Sequence, residues 1–392
     1  MPTKTTLYAL GSNGNSQLGV GHADDISSPQ KCKFMTGNSN EVVDYVPLDF
    51  DANEQIKKIV AGGNHTLLLT TLGCVWATGS DVDGQCGLVG PRPQQVEGGG
   101  GTFAGVWRRV QWRKEGQDED SRFTDIAATW VASFFVVDGH VVYSCGRGEK
   151  GELGRGLDRS HGPLPMRCFD LRDFEAEVPE VKIVKISACM NHVVVLSSSG
   201  SLYGWGACRK GQLGENLNGE KVSWLPKQLD IHLDWMPRQV VTGREFTFVV
   251  GKRHEEQCFL GDAGRIKLEM PLKFETESQQ DLEIHAGWTH IVVRVSDGSL
   301  RGSGHSQRGQ LLEKQPQQQI ANFAMGSEHS IAVTGDGAVI AWGWGEHGNC
   351  GAEVDEKKNV MGRHNTVFVP DRYERVAGVG AGCATSFFWV EV

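Results

Sequence analysis

The chain has 392 residues, of which 39% are hydrophobic and 51 are glycine, and its formal net charge at pH 7 is −9. An acidic surface is repelled by phosphate backbones, so we expect no direct nucleic-acid partner. No apolar run approaches the ~20 residues that span a bilayer, and residues 1–10 lack the apolar core of a secretory signal. We therefore expect no membrane partner and a soluble protein of the cytoplasm, with the nucleus as a second location.

A two-part motif recurs along the whole chain. Its first half reads roughly Ala-Gly-x-x-His followed by a short apolar run, and its second half, Gly-x-x-x-x-Gly-Gln-Leu-Gly, begins fourteen residues after the histidine position in most copies. Such self-similarity indicates a repeat architecture. The first halves lie at His65, Ala132, His192, Phe246, His290, His329 and Thr385. The second halves lie at Gly11, Gly79, Gly146, Gly206, Gly261, Gly304 and Gly343.

The order of these halves predicts a closed ring. A second half comes first, at Gly11, and a first half comes last, at Thr385, so each completes the other. Seven units of about 56 residues suit four-stranded sheets, and radial repetition of such sheets protects their edges. We predict an all-β fold, a seven-bladed β-propeller of four-stranded blades, closed by N-terminal strands that complete the C-terminal blade. Residues 1–392 are expected to form one domain.

Within each unit, short β-branched and aromatic runs flank a glycine-containing turn, which is typical of a β-hairpin. Residues 67–70 and 74–78 form one such pair, and residues 193–196 and 202–205 another. Two segments interrupt the regular spacing. We interpret residues 31–53 as a short insertion. We interpret residues 88–124, which contain four consecutive glycines and an acidic run, as an inserted and partly disordered loop.

The sequence contains no cofactor or metal motif that its context supports. Ten cysteines are scattered without a Cys-x-x-Cys pair, which favours small buried side chains in a reducing compartment. Residues 146–151 and 343–348 match Gly-x-Gly-x-x-Gly, but neither is followed by the helical pattern that a dinucleotide site requires. We therefore expect neither a cofactor nor a metal.

Four histidines share one position of the repeat, namely His65, His192, His290 and His329. A catalytic site needs residues of different chemistry converging on one point, whereas ring symmetry spreads equivalent positions around an axis. We predict a structural role for these histidines, bonding backbone at the blade hairpin. No catalytic residues are expected, and the protein is not expected to be an enzyme.

The repeats, with units such as Trp342-Gly343 and Gln17-Leu18-Gly19, resemble those of the regulator of chromosome condensation family over essentially the whole chain. The runs at 61–65, 326–329 and 342–351 are similar to a fungal killer-toxin-insensitivity branch of that family. This resemblance implies a heterodimer with a small CSL-type zinc-finger protein that binds iron or zinc and supplies electrons to diphthamide synthesis. It also implies a link to Elongator-dependent modification of the tRNA wobble uridine.

A partner surface is expected where the repeat varies most, at the two residues before each histidine position. These pairs should lie on loops at one face near the axis. Trp, Met and Arg are enriched at the centres of interfaces. The predicted partner-binding residues are Trp130, Met190, Arg244, Glu245, Trp288 and Glu328. The alternative for each tryptophan is packing between blades.

Two functions remain open at this point. The first is a binding scaffold for the small zinc protein. The second, also implied by the family resemblance, is guanine-nucleotide exchange on a small GTPase. Chromatin binding would need a basic tail, and the basic stretch at 108–114 is short and followed by acidic residues.

Overall fold

The computed structural model describes residues 4–36, 41–47, 54–88, 105–112, 122–159, 161–214, 217, 219–253, 255–272 and 283–392. Seven antiparallel sheets arranged around one axis account for most of them, which confirms the predicted propeller. Two short 3-10 helices, Leu157–Arg159 and Leu171–Asp173, are the helical elements of these ranges.

The blades are numbered in chain order, and strands within each are given from the axis outwards. Blade 1 contains β5 (Ile56–Ala61), β6 (His65–Thr70), β7 (Val75–Gly79) and β8 (Arg108–Val110). Blade 2 contains β9 (Phe123–Ala128), β10 (Ala132–Val137), β11 (Val141–Arg147) and β12 (His161–Asp170). Blade 3 contains β13 (Ile183–Cys189), β14 (His192–Ser197), β15 (Leu202–Ala207) and β16 (Val222–Gln228). Blade 4 contains β17 (Gln239–Thr242), β18 (Phe246–Val250) and β19 (Gln257–Gly261). Blade 5 contains β20 (Glu283–Ala286), β21 (His290–Arg294) and β22 (Leu300–Gly304). Blade 6 contains β23 (Ile320–Met325), β24 (His329–Thr334), β25 (Val339–Trp344) and β26 (Asn359–Phe368). Blade 7 contains β27 (Arg375–Ala381), β28 (Thr385–Glu391), β1 (Thr5–Gly11) and β2 (Ile26–Lys31).

Ring closure occurs within blade 7. Strand β1 pairs with β28 without interruption from Thr5 opposite Glu391 to Gly11 opposite Thr385. Each inner strand also contacts the next around the axis, and β27 contacts β5. The N-terminal strands therefore complete the sheet begun by the C-terminal strands, as the order of the half-repeats predicts.

The second strand of each blade supplies much of the core. Strands β6, β10, β14 and β24 are buried at every residue. Their runs, such as Leu67-Leu68-Leu69 and Val193-Val194-Val195, are continuous apolar stretches because both sheet faces pack against a neighbouring blade. This packing fixes the loops at the two ends of each blade.

Blades 4 and 5 show three strands each in the described residues. In blade 5 the reason is length, since only a short segment separates Gly304 from Ile320 and part of it forms the Gln310 turn. In blade 4, residues 273–282 lie outside the described residues.

Part of the segment interpreted as an inserted loop is a regular blade element. Strand β8 forms the outer edge of blade 1, and Trp107 beside it is fully buried. Residues 105–112 are thus an outer strand with its flanks, which corrects that part of the 88–124 interpretation. The physical reason is that blade 1 lacks another edge strand to cover β7. Residues 89–104 and 113–121 lie outside the described residues.

The segment predicted as an insertion at 31–53 covers the seam between blades 7 and 1. Its first residue, Lys31, is the last residue of β2, and the segment continues into a two-stranded sheet formed by β3 (Phe34–Met35) and β4 (Val42–Val43). The Phe34 ring stacks on Trp107 at 5.7 Å and meets Trp76 edge-on at 5.5 Å. Residues 37–40 and 48–53 lie outside the described residues.

Candidate functional site

The repeat histidines lie at the seams between blades. In three seams the ring Nε2 lies within hydrogen-bond distance of a hydroxyl on the next blade: His65 with Ser133 at 2.8 Å, His192 with Thr247 at 3.2 Å and His329 with Ser386 at 3.0 Å. Each hydroxyl in turn donates to the backbone carbonyl of a turn residue, namely Gln85, Gln212 or Asn349. The hydroxyl proton is therefore committed, so Nε2–H of each histidine is the donor.

Burial lowers the pKa of these histidines to about 4 for His65, His192 and His329. Burial, together with the nearby His329 and His305, lowers the pKa of His290 to about 3. All four rings are thus neutral at physiological pH. Within the described residues His290 has no hydrogen-bond partner on either ring nitrogen.

The first residue of each second strand is matched in polarity by a residue on the next blade. Where the second strand starts with histidine, the following blade has a hydroxyl at the second position of its second strand: Ser133, Thr247, Ser330 and Ser386. Where it starts with Ala132 or Phe246, the following blade has Val193 or Ile291 instead. Polar groups face polar groups and apolar groups face apolar ones, as buried positions require. This spacing is visible in the sequence, and our sequence analysis missed it.

The loops that precede the second strands lie together at one end of the ring, which we call the mouth surface (residues 62–64, 129–131, 190–191, 243–245, 287–289, 326–328 and 382–384). Backbone hydrogen bonds join neighbouring loops, from Gly63 N to Trp130 O at 2.9 Å and from Trp130 N to Met190 O at 3.0 Å. A second series runs from Arg244 N to Trp288 O at 2.9 Å and from Trp288 N to Ser327 O at 2.9 Å. The mouth surface is therefore built on a rigid frame.

Two tryptophans meet across the axis at the mouth surface. Trp130 belongs to blade 2 and Trp288 to blade 5, and their ring centroids are 6.0 Å apart. Trp130 is 38% exposed and also packs on Gly63, where an added Cβ would lie 2.7 Å from the indole. Trp288 is partly buried.

Arg244 and Met190 complete this group. The exposed Arg244 guanidinium lies 5.7 Å from the Trp288 ring centroid, in cation–π geometry. Met190 is partly buried beside Trp130 and adopts a positive φ of 49°, which turns the chain at the mouth. The structure thus places four of the six predicted partner-binding residues together, and we call Trp130, Met190, Arg244 and Trp288 the mouth cluster.

The two predicted acidic residues lie differently. The Glu245 carboxylate pairs with Arg265 at 2.7 Å, and the Glu328 carboxylate pairs with Arg308 at 2.7 Å. Both ion pairs are within the chain, so these carboxylates have a partner already. They neutralise Arg265 and Arg308 and leave Arg244 as the cation of the mouth cluster.

A second aromatic group beside the mouth was missed by sequence reasoning. The Arg308 guanidinium lies 5.1 Å from the Trp344 ring centroid, and His347 meets Trp344 edge-on at 5.4 Å. His347 Nδ1 also lies 2.7 Å from an Asp25 carboxylate oxygen. These residues come from the turns after the third strands, which share the face of the mouth surface; the usable signal was the run of aromatic and charged residues at 344–347.

The described ranges contain no group of three His, Cys, Asp or Glu side chains placed to hold a metal ion. All ten cysteines are free thiols. Within the same ranges, no helix is long and apolar enough to cross a membrane.

The chain matches a known protein family. A model described as the RCC1-like domain matches residues 6–388. The chain belongs to the RCC1-like domain family. An RCC1 repeat-containing protein of Schizosaccharomyces pombe, C10F6.04, is 31% identical over 98% of this chain and 99% of its own length.

One further sequence relative and one solved structure resemble this chain. The secretion-regulating guanine nucleotide exchange factor of Bos taurus is 28% identical, over 92% of this chain and 80% of that protein. The crystal structure of Prp20p from Saccharomyces cerevisiae, a protein characterised for binding to Gsp1p and histones, superposes with a TM-score of 0.71. At 17% identity, over 99% of this chain and 91% of that one, the superposition shows a shared fold.

Below the mouth surface, this RCC1-like propeller encloses a central channel of about 960 Å³ lined by the inner strands. The same position of the inner strand is a charged residue in three consecutive blades, namely Lys58, Asp125 and Lys185, and all three line the channel. The Lys58 ammonium pairs with the Asp125 carboxylate at 2.7 Å. The partly buried Lys185 ammonium has neither a hydrogen bond nor an ion pair among the described residues.

Replacing Lys185 should stabilise the protein. The Lys58 ammonium and partial desolvation lower the pKa of Lys185 to about 8, whereas the unfolded chain keeps a value of ~10.5. Between these values the unfolded state binds more protons, so wild-type stability rises with pH in this window. Lys185→Met should raise the free energy of unfolding at pH 7 by about 1–3 kcal/mol and abolish the rise above pH 8.

Urea unfolding at pH 7 and pH 10 checks this expectation. The matched control is Lys182→Met, since Lys182 is exposed just before β13 and should leave stability unchanged within about 0.5 kcal/mol. A Lys185→Met protein that is no more stable than wild type at pH 7 would contradict the repulsion inferred between Lys58 and Lys185.

Proposed function

We propose that this protein is a non-catalytic scaffold that docks and stabilises a small CSL-type zinc- or iron-binding electron-carrier protein. In this role it supports diphthamide synthesis on elongation factor 2 and Elongator-dependent modification of the tRNA wobble uridine. Membership of the RCC1-like family supports a binding role. The motif resemblance at 61–65, 326–329 and 342–351 supports the choice of partner.

The mouth cluster is the observation that carries the proposal. Two indoles and one methionine form a partly exposed apolar centre, and the Arg244 guanidinium lies at its edge. Large aromatic side chains with an adjacent arginine are the usual energetic centre of protein interfaces. Because the surrounding backbone is tied by hydrogen bonds between blades, little ordering cost is expected on binding.

Truncation of the mouth cluster should weaken the complex. Trp288→Ala removes both the contact with Trp130 and the support for Arg244, so we expect the Kd for the small zinc protein to rise about 30-fold or more. Arg244→Ala should raise the Kd by about 10-fold. Isothermal titration calorimetry with the purified zinc protein measures both values.

The control for this experiment is Tyr373→Ala. Tyr373 is 70% exposed in the loop before β27, at the end of the ring opposite the mouth surface. Its replacement should leave the Kd unchanged. Equal affinity of wild type, Trp288→Ala and Arg244→Ala would rule out the mouth surface, and failure of the two wild-type proteins to associate would rule out the partner.

Guanine-nucleotide exchange on a small GTPase is the second candidate. It is favoured by the relation to the Bos taurus protein named as a guanine nucleotide exchange factor. A nucleotide-release assay with purified small GTPases distinguishes the two functions. Acceleration of release at substoichiometric concentrations of this protein would favour exchange, whereas tight binding of the zinc protein without any acceleration would favour the scaffold.

A further inference from the structure

Each of the seven inner strands contributes one residue at the same register position, and these seven residues form a ring around the channel. Each of these residues pairs with the fifth residue of the neighbouring second strand. Six of the seven are polar or charged, and we call them the channel belt: Lys58, Asp125, Lys185, Gln239, Glu283 and Asn322. The seventh position is Gly378, where the Trp389 indole fills the space that a Cβ would need.

Most members of the channel belt are satisfied within the chain. Lys58 Nζ donates to Asp125 Oδ1 and to Ile126 O, both at 2.7 Å, and the second Asp125 oxygen accepts from Ile186 N at 3.1 Å. The Glu283 carboxylate pairs with Arg294 at 2.7 Å. These contacts balance one cation against one anion in each pair.

Other neighbours add no anion for Lys185. His285 lies 3.4 Å from the Glu283 carboxylate, which Arg294 already neutralises. Asn322 is neutral and its Oδ1 accepts from Val379 N at 3.2 Å. The described channel belt therefore has one positive charge in excess, located on Lys185.

Access to Lys185 is from the end opposite the mouth surface. At the mouth, Trp130 and Trp288 contact each other across the axis. At the other end, the residues just before the belt positions are exposed: Lys57, Thr124 and Val184. The channel volume of about 960 Å³ is in the range of small-molecule sites.

We infer that the channel belt is a binding site for a small molecule with one carboxylate group, held by the Lys185 ammonium. A single negative charge balances the excess positive charge of the belt, whereas the exposed Lys57 ammonium at the open end of the channel donates to Thr124 O at 2.7 Å and is not part of the belt. A doubly charged group such as hydrogen phosphate is disfavoured, because the Asp125 carboxylate lies in the same belt and repels the second charge. This site is separate from the mouth cluster and needs no protein partner, so the inference goes beyond the proposed function.

NMR of protein labelled with 13C at lysine Cε tests this inference, with acetate as the probe and chloride at equal ionic strength as the reference. The Lys185 signal is assigned by its loss in Lys185→Met. We expect acetate to shift this signal in a saturable manner and to raise the melting temperature of the wild type above its value in chloride. The rise in melting temperature should not occur in Lys185→Met, whereas Lys182→Met should retain both effects.

Two results would overturn the site. The first is a Lys185 shift that is the same in acetate and chloride, which would leave only general screening. The second is a saturable response to inorganic phosphate with none to acetate, which would exclude the carboxylate class. Because the melting temperature of Lys185→Met is measured in the same series, loss of the response through misfolding is recognised directly.

Discussion

At pH 5 the free energy of unfolding should be roughly 8 kcal/mol lower than at pH 7.5, which is comparable with the whole stability of a typical domain. The cause is the set of four buried histidines, whose pKa lies at about 4 for three and about 3 for His290. In the unfolded chain their pKa is ~6.5. Below that value the unfolded state binds protons that the native state excludes, so stability falls as pH falls, by about 2 kcal/mol per histidine at pH 5.

Urea unfolding across this pH range measures the effect. His192→Gln should remove about a quarter of the pH dependence, because one of four buried rings no longer titrates. His232→Gln is the matched control, since the His232 side chain is 96% exposed and should not change the slope. A slope that stays the same in His192→Gln would show that other groups cause the acid sensitivity.

Trp107→Ala should cost about 3–5 kcal/mol of stability. The indole is fully buried, stacks on Phe34, meets Phe387 edge-on at 6.2 Å, and donates from Nε1 to Leu18 O at 3.3 Å. Its removal leaves a cavity where blades 7 and 1 meet and leaves the Leu18 carbonyl with only the weak Cys32 thiol as donor, at 3.2 Å.

Chemical denaturation measures the free energy of unfolding of Trp107→Ala, and Trp130→Ala serves as the matched control. Trp130 is the same residue type but is 38% exposed, so its truncation should cost about 1 kcal/mol. A Trp107→Ala protein as stable as Trp130→Ala would mean that residues 105–112 do not hold the seam together.

The blade count and the mode of closure could be predicted from sequence because both depend on spacing. A fixed interval between His65 and Gly79, repeated in later units, reflects strand pairing that the structure shows directly, with these two residues opposite each other. Strand β8 could not be predicted, because it has three residues and lies in a segment rich in glycine and charge. Its position is fixed by Trp107 packing on residues distant in sequence.

The site was predictable only in part, for a similar reason. Residue type and loop position singled out Trp130 and Trp288, but their contact depends on the width of the ring, which no local pattern specifies. Likewise Lys58, Asp125 and Lys185 are unremarkable one by one. They form a belt only because their strands pair in the same register.

The pairing of β1 with β28 has a consequence for synthesis of the protein. Strand β28, the partner of the first strand, is translated after every other strand of the propeller, so β1 has no native neighbour on its inner side until the rest of the ring has been synthesised. Its apolar residues Leu7, Ala9 and Leu10 stay uncovered during that time. Such edges invite wrong pairing, and the nascent chain is therefore expected to need a chaperone until β28 has emerged from the ribosome.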